Sequence, residues 1–128
     1  MISGCGIDII EINRIKNIIE KWGDHFLGKV YSQDEIVYCE NKKNNKFQSY
    51  AGFFAAKEAC VKAMGTGFRK LGWKEIKIDN DLLGKPLICL SSQLKKRLTN
   101  NKIGNIHLSI SHTKKIAVAQ VVIEYDKK

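Results

Sequence analysis

The sequence predicts an α+β fold, a small antiparallel sheet packed with helices, and three stretches carry that prediction. Ser49–Gly67, SYAGFFAAKEACVKAMGTG, is small or apolar around nearly its whole helical circumference, which marks a central, buried helix. Ile106–Ser111 alternates cleanly, and Ile116–Ile123, dense in Val and Ala, returns after the turn His112–Lys115 as a hairpin. Ile2–Ile10 alternates in part and reads as a further strand. Helices interspersed with hairpins fit helices packed on an antiparallel sheet. A chain of 128 residues is expected to form one domain, 1–128, long enough to bury a core.

In the first strand, Cys5, Ile7 and Ile9 share one face and Gly4, Gly6 and Asp8 the other. Two glycines beside an acid leave space around its carboxylate, which suits a metal or a ligand; an Asp capping the next helix is the alternative. From Glu11 the pattern turns helical. Ile12, Ile15, Ile18, Ile19 and Trp22 form the inward stripe, Gly23 is the stop, and Arg14, Lys16 and Lys21 lie off the stripe. Tyr31–Glu40 reads as a short helix, with Ser32 as cap and Glu35 as its capping-box partner. Asn41–Lys46, NKKNNK, reads as a loop.

Ser49 is the expected N-cap of the central helix, and Gly65 and Gly67 its stop. Phe53, Ala56, Cys60 and Met64 form one stripe on it, Phe54 and Val61 another. After it, Glu75–Asp79 and Leu87–Leu90 read as strands around the turn Asn80–Pro86. Ser91–Asn100 reads as a helix with Leu94 and Leu98 inward and Lys95, Lys96 and Arg97 mostly outward. In the last hairpin His107, Ser109 and Ser111 share the polar face, and His112 opens the turn.

Glu58 sits within the apolar stripes of the central helix, where an imperfectly compensated carboxylate costs several kcal/mol. An i,i+4 pair with Lys62, worth about 0.2–0.5 kcal/mol on an exposed helix, is one reading but does not offset that cost. The other is that Glu58 binds a divalent cation while Lys62 and the following Gly65-Thr66-Gly67 face a phosphate. Spacing leaves both readings open.

Charge narrows the partners. Lys and Arg number 22 against 13 Asp and Glu, a net +9, so the partner is expected to be anionic: a nucleic acid, a membrane surface, a polyphosphate or an acidic protein. No stretch approaches the roughly 20 apolar residues of a membrane span, and MISGCGIDII does not read as a signal peptide. Cys5, Cys39, Cys60 and Cys89 form no CxxC pair, so reduced, packed thiols and a cytoplasmic setting are expected. Phe53, Phe54 and Trp22 fall on buried stripes, leaving no stacking platform for single-stranded nucleic acid. Neither nucleic acid nor membrane is the expected partner.

Four motifs, GCGIDIIEINRI, FFAAKEACVKAMGTGF, NDLLGKP and HLSISHTKKIAVAQVV, resemble in order and spacing those of the holo-acyl-carrier-protein synthases, the short-type 4′-phosphopantetheinyl transferases. The resemblance runs from about Ile2 to Glu124. It implies a 4′-phosphopantetheinyl transferase-like fold and transfer of 4′-phosphopantetheine from coenzyme A to a serine of apo acyl carrier protein, releasing adenosine 3′,5′-bisphosphate. By it, Asp8 and Glu58 hold Mg²⁺, Lys62 joins them as the third catalytic residue, and the serine proton goes to Glu58 or to a water at the cation. Coenzyme contacts are implied for Lys62, Gly65, Thr66, Gly67, Lys85, Pro86, His112 and Thr113. Arg14 and, more weakly, Lys21 would dock the acidic carrier. The carrier of fatty acid synthesis is the default partner and a polyketide carrier the alternative; Mn²⁺ in place of Mg²⁺ stays open. A single copy of the motif set implies a homotrimer with active sites between subunits.

One position departs from the family pattern. A basic residue commonly precedes the F-A-A-K-E run, where this chain has Phe53. A charged phosphate contact is therefore not expected from residue 53, and Lys57 either compensates or pairs with a neighbouring acid. A non-catalytic module that docks a carrier by charge alone is a further reading, opposed by the presence of both Asp8 and Glu58.

Overall fold

The computed structural model describes residues 1–65, 72–98 and 103–126. Strand β1 (Ile2–Glu11) opens the chain, followed by helices α1 (Ile12–Trp22), α2 (Asp24–Val30), α3 (Gln33–Glu40) and α4 (Lys46–Met64). The hairpin β2 (Ile76–Asn80) and β3 (Pro86–Leu90), helix α5 (Ser92–Arg97) and strands β4 (Ile103–His112) and β5 (Ile116–Tyr125) complete it. The long strands form an antiparallel sheet in the order β1-β5-β4, and β2-β3 forms a separate two-stranded sheet. The α+β architecture expected from the sequence is the one observed.

Helix α4 lies across all three strands of the larger sheet. It comes close because the surfaces between them are almost bare of side chains. A Cβ on Gly4 would sit 2.1 Å from the Ala63 carbonyl oxygen, and one on Gly6 would sit 2.1 Å from that of Ala59. Ala117 and Ala119 of β5 are fully buried beneath the same helix. The glycines of β1 therefore do not open space around Asp8, as their spacing suggested; they admit the helix backbone. The apolar face of β1 is correspondingly the outer one, with Ile7 60% and Ile9 64% exposed and Cys5 exposed beside them.

On the opposite side of α4 lie α1, α3 and β2. Here the element boundaries depart from the sequence reading in three places. Gly23, at φ 52°, ends α1, but the chain starts a second helix at once, burying Leu27 and Val30. Trp22 is 56% exposed, because α1 has turned off the core by its last turn; Ile12 and Ile15 do form the buried stripe. Helix α4 begins at Lys46, since a 3₁₀ turn at Lys43–Asn45 runs straight into it, and Ser49 lies within its first turns instead of capping it.

Other details hold. The Ser32–Glu35 capping box is formed, with Glu35 N donating to Ser32 Oγ (3.2 Å) and Ser32 N to Glu35 Oε1 (2.8 Å). Leu94 and Leu98 of the α5 segment are buried. The strands of the hairpin 76–90 are each one residue off the expected limits, and β4 extends to His112, so the last turn is the shorter Thr113–Lys115. Cys39 and Cys60 are packed inside, whereas Cys5 and Cys89 are exposed free thiols.

Candidate active site

The close approach of α4 to β1 decides the geometry of the site. Asp8 follows Gly6 on the helix-facing side of β1, and Glu58 precedes Ala59, whose carbonyl rests on Gly6. The two carboxylates thus converge across one strand–helix contact. Burial pushes the Glu58 carboxyl above the ordinary carboxylate range, and the negative charge of Asp8 pushes it further; Lys62 and Arg14 pull it back. Arg14, expected only as a docking residue, therefore acts on Glu58 electrostatically from α1.

Lys62 pairs with Asp8, not with Glu58. Its Nζ donates to Asp8 Oδ1 at 3.1 Å and to the Ile7 carbonyl at 3.0 Å. The i,i+4 pair that the spacing offered is replaced by a tie from helix to strand, because β1 brings an acid and a carbonyl within reach of the ammonium. Two hard carboxylates, with no third ligating side chain clustered among the described residues, suit Mg²⁺, which keeps waters and takes phosphate oxygens for most of its shell.

Lys57 has another task. Its side chain is fully buried, and the Nζ donates to Glu35 Oε1 (2.8 Å), the Val30 carbonyl (2.7 Å) and the Trp73 carbonyl (3.2 Å). All three N–H groups are used. Glu35 Oε2 accepts from Ile78 N at 2.7 Å, so the pair joins α2, α3, α4 and β2. Lys57 thus does not replace the charge missing at residue 53; it pairs with an acid. A lysine in an apolar helix was the sequence signal for a buried partner, but nothing in the sequence pointed to Glu35 beyond its capping role.

The remaining predicted contacts gather elsewhere. Pro86 and His112 line a cleft of about 340 Å³ together with Tyr38, Lys42, Gln48 and Phe53. Gln48 Oε1 is buried there with no hydrogen-bond partner among the described residues, a polar group short of a donor. Thr113 follows at the strand end, its Oγ1 accepting from Lys115 N and Ile116 N (both 3.1 Å). Lys85 is exposed in a turn held by Asp81 Oδ1, which accepts from Leu83 N and Lys85 N. Phe53 faces this cleft and Glu58 the carboxylate cluster; five residues apart, they lie roughly 140° apart around α4.

Within one chain the predicted site therefore falls into two groups on different flanks of α4. Gly65 stands at the end of the first group in the left-handed conformation (φ 75°), and its N–H already donates to the Val61 and Lys62 carbonyls. It is not a free donor for a phosphate. Thr66 and Gly67 lie outside the described residues. Lys21 is apart from both groups, its Nζ 5.3 Å over the Trp22 ring.

Comparison with known proteins shows the family. The sequence pattern of the 4′-phosphopantetheinyl transferase superfamily matches residues 4–121. The chain belongs to that superfamily, and within it to the holo-[acyl-carrier-protein] synthases. It is 47% identical over 124 residues to the holo-[acyl-carrier-protein] synthase of Halothermothrix orenii, covering 97% of this chain and 98% of that one. The Clostridium tetani enzyme of the same name is 49% identical, with 97% of each chain covered. Among solved structures, the Neisseria meningitidis holo-[acyl-carrier-protein] synthase superposes with a TM-score of 0.88 at 35% identity, over 97% of this chain and 99% of that one. The Helicobacter pylori enzyme, solved in complex with coenzyme A, gives 0.84 at 39% identity over 94% and 99%.

Proposed function

We propose that this chain, acting as one transferase domain, moves 4′-phosphopantetheine from coenzyme A to a serine of apo acyl carrier protein, releasing adenosine 3′,5′-bisphosphate in a magnesium-dependent reaction. The convergence of Asp8 and Glu58 beside Lys62 and Arg14 carries this reading. Asp8 and Glu58 would hold the Mg²⁺, which when bound neutralises charge on the pyrophosphate oxygens. The serine oxygen forms a bond to the pantetheine-side phosphorus, and the bridging P–O bond breaks toward the nucleotide. Lys62, an ammonium resting on Asp8 and the Ile7 carbonyl, swings from that pair to the charge building on the departing phosphate. Glu58, with its raised proton affinity, accepts the serine proton.

The two groups of site residues on different flanks of α4 support a homotrimer in which neighbouring subunits complete each active site. The exposed outer face of β1 and β5 supports it as well. Cross-strand pairs Cys5–Val122, Ile7–Gln120 and Ile9–Val118 lie on that face, largely apolar and uncovered in one chain. The basic α1 surface with Arg14 and Lys21 is the docking face for an acidic carrier, that of fatty acid synthesis by default. No helix among the described residues is long and apolar enough to cross a membrane.

The test is mass spectrometry of an apo acyl carrier protein incubated with this chain, coenzyme A and Mg²⁺. One phosphopantetheine mass is gained, and EDTA abolishes the gain. Asp8→Ala and Glu58→Ala each lose about 100-fold or more in turnover, the scale of a lost preorganised electrostatic group. Near-normal turnover in either folded variant would exclude the proposed cation site.

A further inference from the structure

Strands β3 and β4 are each an edge strand of their own sheet, and no ladder joins them among the described residues. Between them, bordered by Lys95 of α5 and by Leu98, runs a groove of about 680 Å³. Its walls are the consecutive residues 87–90 of β3 and 103–106 of β4. Successive side chains of a strand point to opposite faces, so an unbroken run of lining residues means that each strand turns its edge to the groove. A register shift between Ile103 and Ile106 bulges β4 at this point. Four residues of strand run roughly 10–13 Å, and a groove of this volume lies in the range of small-molecule sites. The cleft at Pro86 and His112 stands toward the opposite ends of the same two strands and is a separate space.

The floor is apolar. Ile88, Leu90, Ile103 and Ile106 are half-buried and pack onto the core, and Leu98 is buried. Besides the Cys89 thiol, the polar side chains are Lys95, Asn105 and Asp126. Asp126 has a partner of its own, whereas the exposed Lys95 ammonium pairs with no carboxylate among the described residues. One ammonium at the rim of an apolar trough complements a monoanion with an apolar tail. A phosphate dianion would call for a second cation, and among the described lining residues there is none.

We propose that the groove between β3, β4 and α5 binds a medium-chain fatty carboxylate, its tail along the two strand edges and its carboxylate on Lys95. The proposal is independent of the transferase reading. Decanoate and butanoate are the probes, and the exposed thiols report without recourse to activity: Cys89 lines the groove, and Cys5 lies on the outer face of β1. Alkylation by iodoacetamide, followed by peptide mass spectrometry, reads the two separately. Decanoate at ten times its dissociation constant slows Cys89 alkylation about tenfold and leaves Cys5 unchanged. Titration calorimetry gives butanoate, six methylenes shorter, at least about a hundredfold weaker binding. Lys95→Met weakens decanoate about tenfold, the loss of one charge-assisted contact, and Lys29→Met, which removes the same charge from α2, does not.

Undiminished alkylation of Cys89 in decanoate overturns the proposal, and so does equal slowing of Cys5 and Cys89, which marks a general effect on the protein. Binding of butanoate as tight as that of decanoate overturns the seat of the tail. An unchanged decanoate affinity in Lys95→Met, or an equal loss in Lys29→Met, overturns the seat of the carboxylate. None of these results bears on transfer to the carrier.

Discussion

Glu58 is a carboxyl whose surroundings disagree about its charge. Burial and the Asp8 carboxylate favour the protonated form, and Lys62 and Arg14 favour the ionised one. Without a cation such a carboxyl takes up its proton above the ordinary carboxylate range, and a bound Mg²⁺ would compete with that proton. Arg14→Met removes one of the two opposing cations and moves the acid limb of kcat/KM to higher pH, read from a pH–rate profile against an unchanged carrier. Stability follows the same sign. The folded state holds the Glu58 proton more tightly than the unfolded chain, so folding is favoured below the unfolded value and loses stability as pH rises through the raised one. Glu58→Gln, which cannot ionise, is therefore inactive but melts at or above the temperature of the unaltered chain at neutral pH.

At the scale of elements, two contacts hold α4 in the register that the carboxylates need. The first is the bare-backbone contact of β1. Gly6→Ala drives a methyl toward the Ala59 carbonyl, overpacks the seam by at least about 1–3 kcal/mol and parts Asp8 from Glu58. The expected result is a lower denaturation midpoint with a larger loss of turnover than of stability. The second is the buried Lys57–Glu35 pair. Lys57→Met leaves Glu35 buried without its cation and costs about 3–5 kcal/mol in chemical denaturation. Adding Glu35→Gln recovers part of that loss, because the stranded charge is gone; full additivity of the two substitutions would show that the pair is not coupled.

For the whole molecule, the outer face of the sheet is decisive. Ile7 and Ile9 remain uncovered, whereas Leu108, Val121 and Ile123 of the same sheet are buried. A charge introduced there, as Ile7→Glu with Ile9→Glu, leaves each subunit's core untouched and separates the copies. On the proposed trimeric assembly, sedimentation at micromolar concentration is expected to show trimer for the unaltered chain and monomer for the variant, with turnover falling alongside. A monomeric unaltered chain with full activity would remove the interfacial site from the mechanism.

Much of this was legible in the residues themselves. Period-two and period-3.6 patterning identified β4, β5, α4 and the Ser32 cap, because those elements bury one face or are buried all round. Asp8, Glu58 and Lys62 were legible as polar exceptions within apolar or glycine-rich runs. Three features were not. An outward apolar face and an inward one look alike when only alternation is visible, so which face of β1 meets α4 was not legible. A glycine that makes room for a ligand and one that admits a helix look alike in sequence, and Gly6 is the second kind. Ion pairs between residues far apart in the chain have no local signal. Lys62 meets Asp8, and Lys57 meets Glu35, only because α4 is laid against β1 on one side and α3 on the other. The sequence by itself determined which segments become helix or strand and which residues are chemically able to act, since local propensity and burial periodicity are carried by neighbours. The tertiary structure decided which charges meet and which faces stay open, since those depend on how closely backbones far apart in the chain can approach.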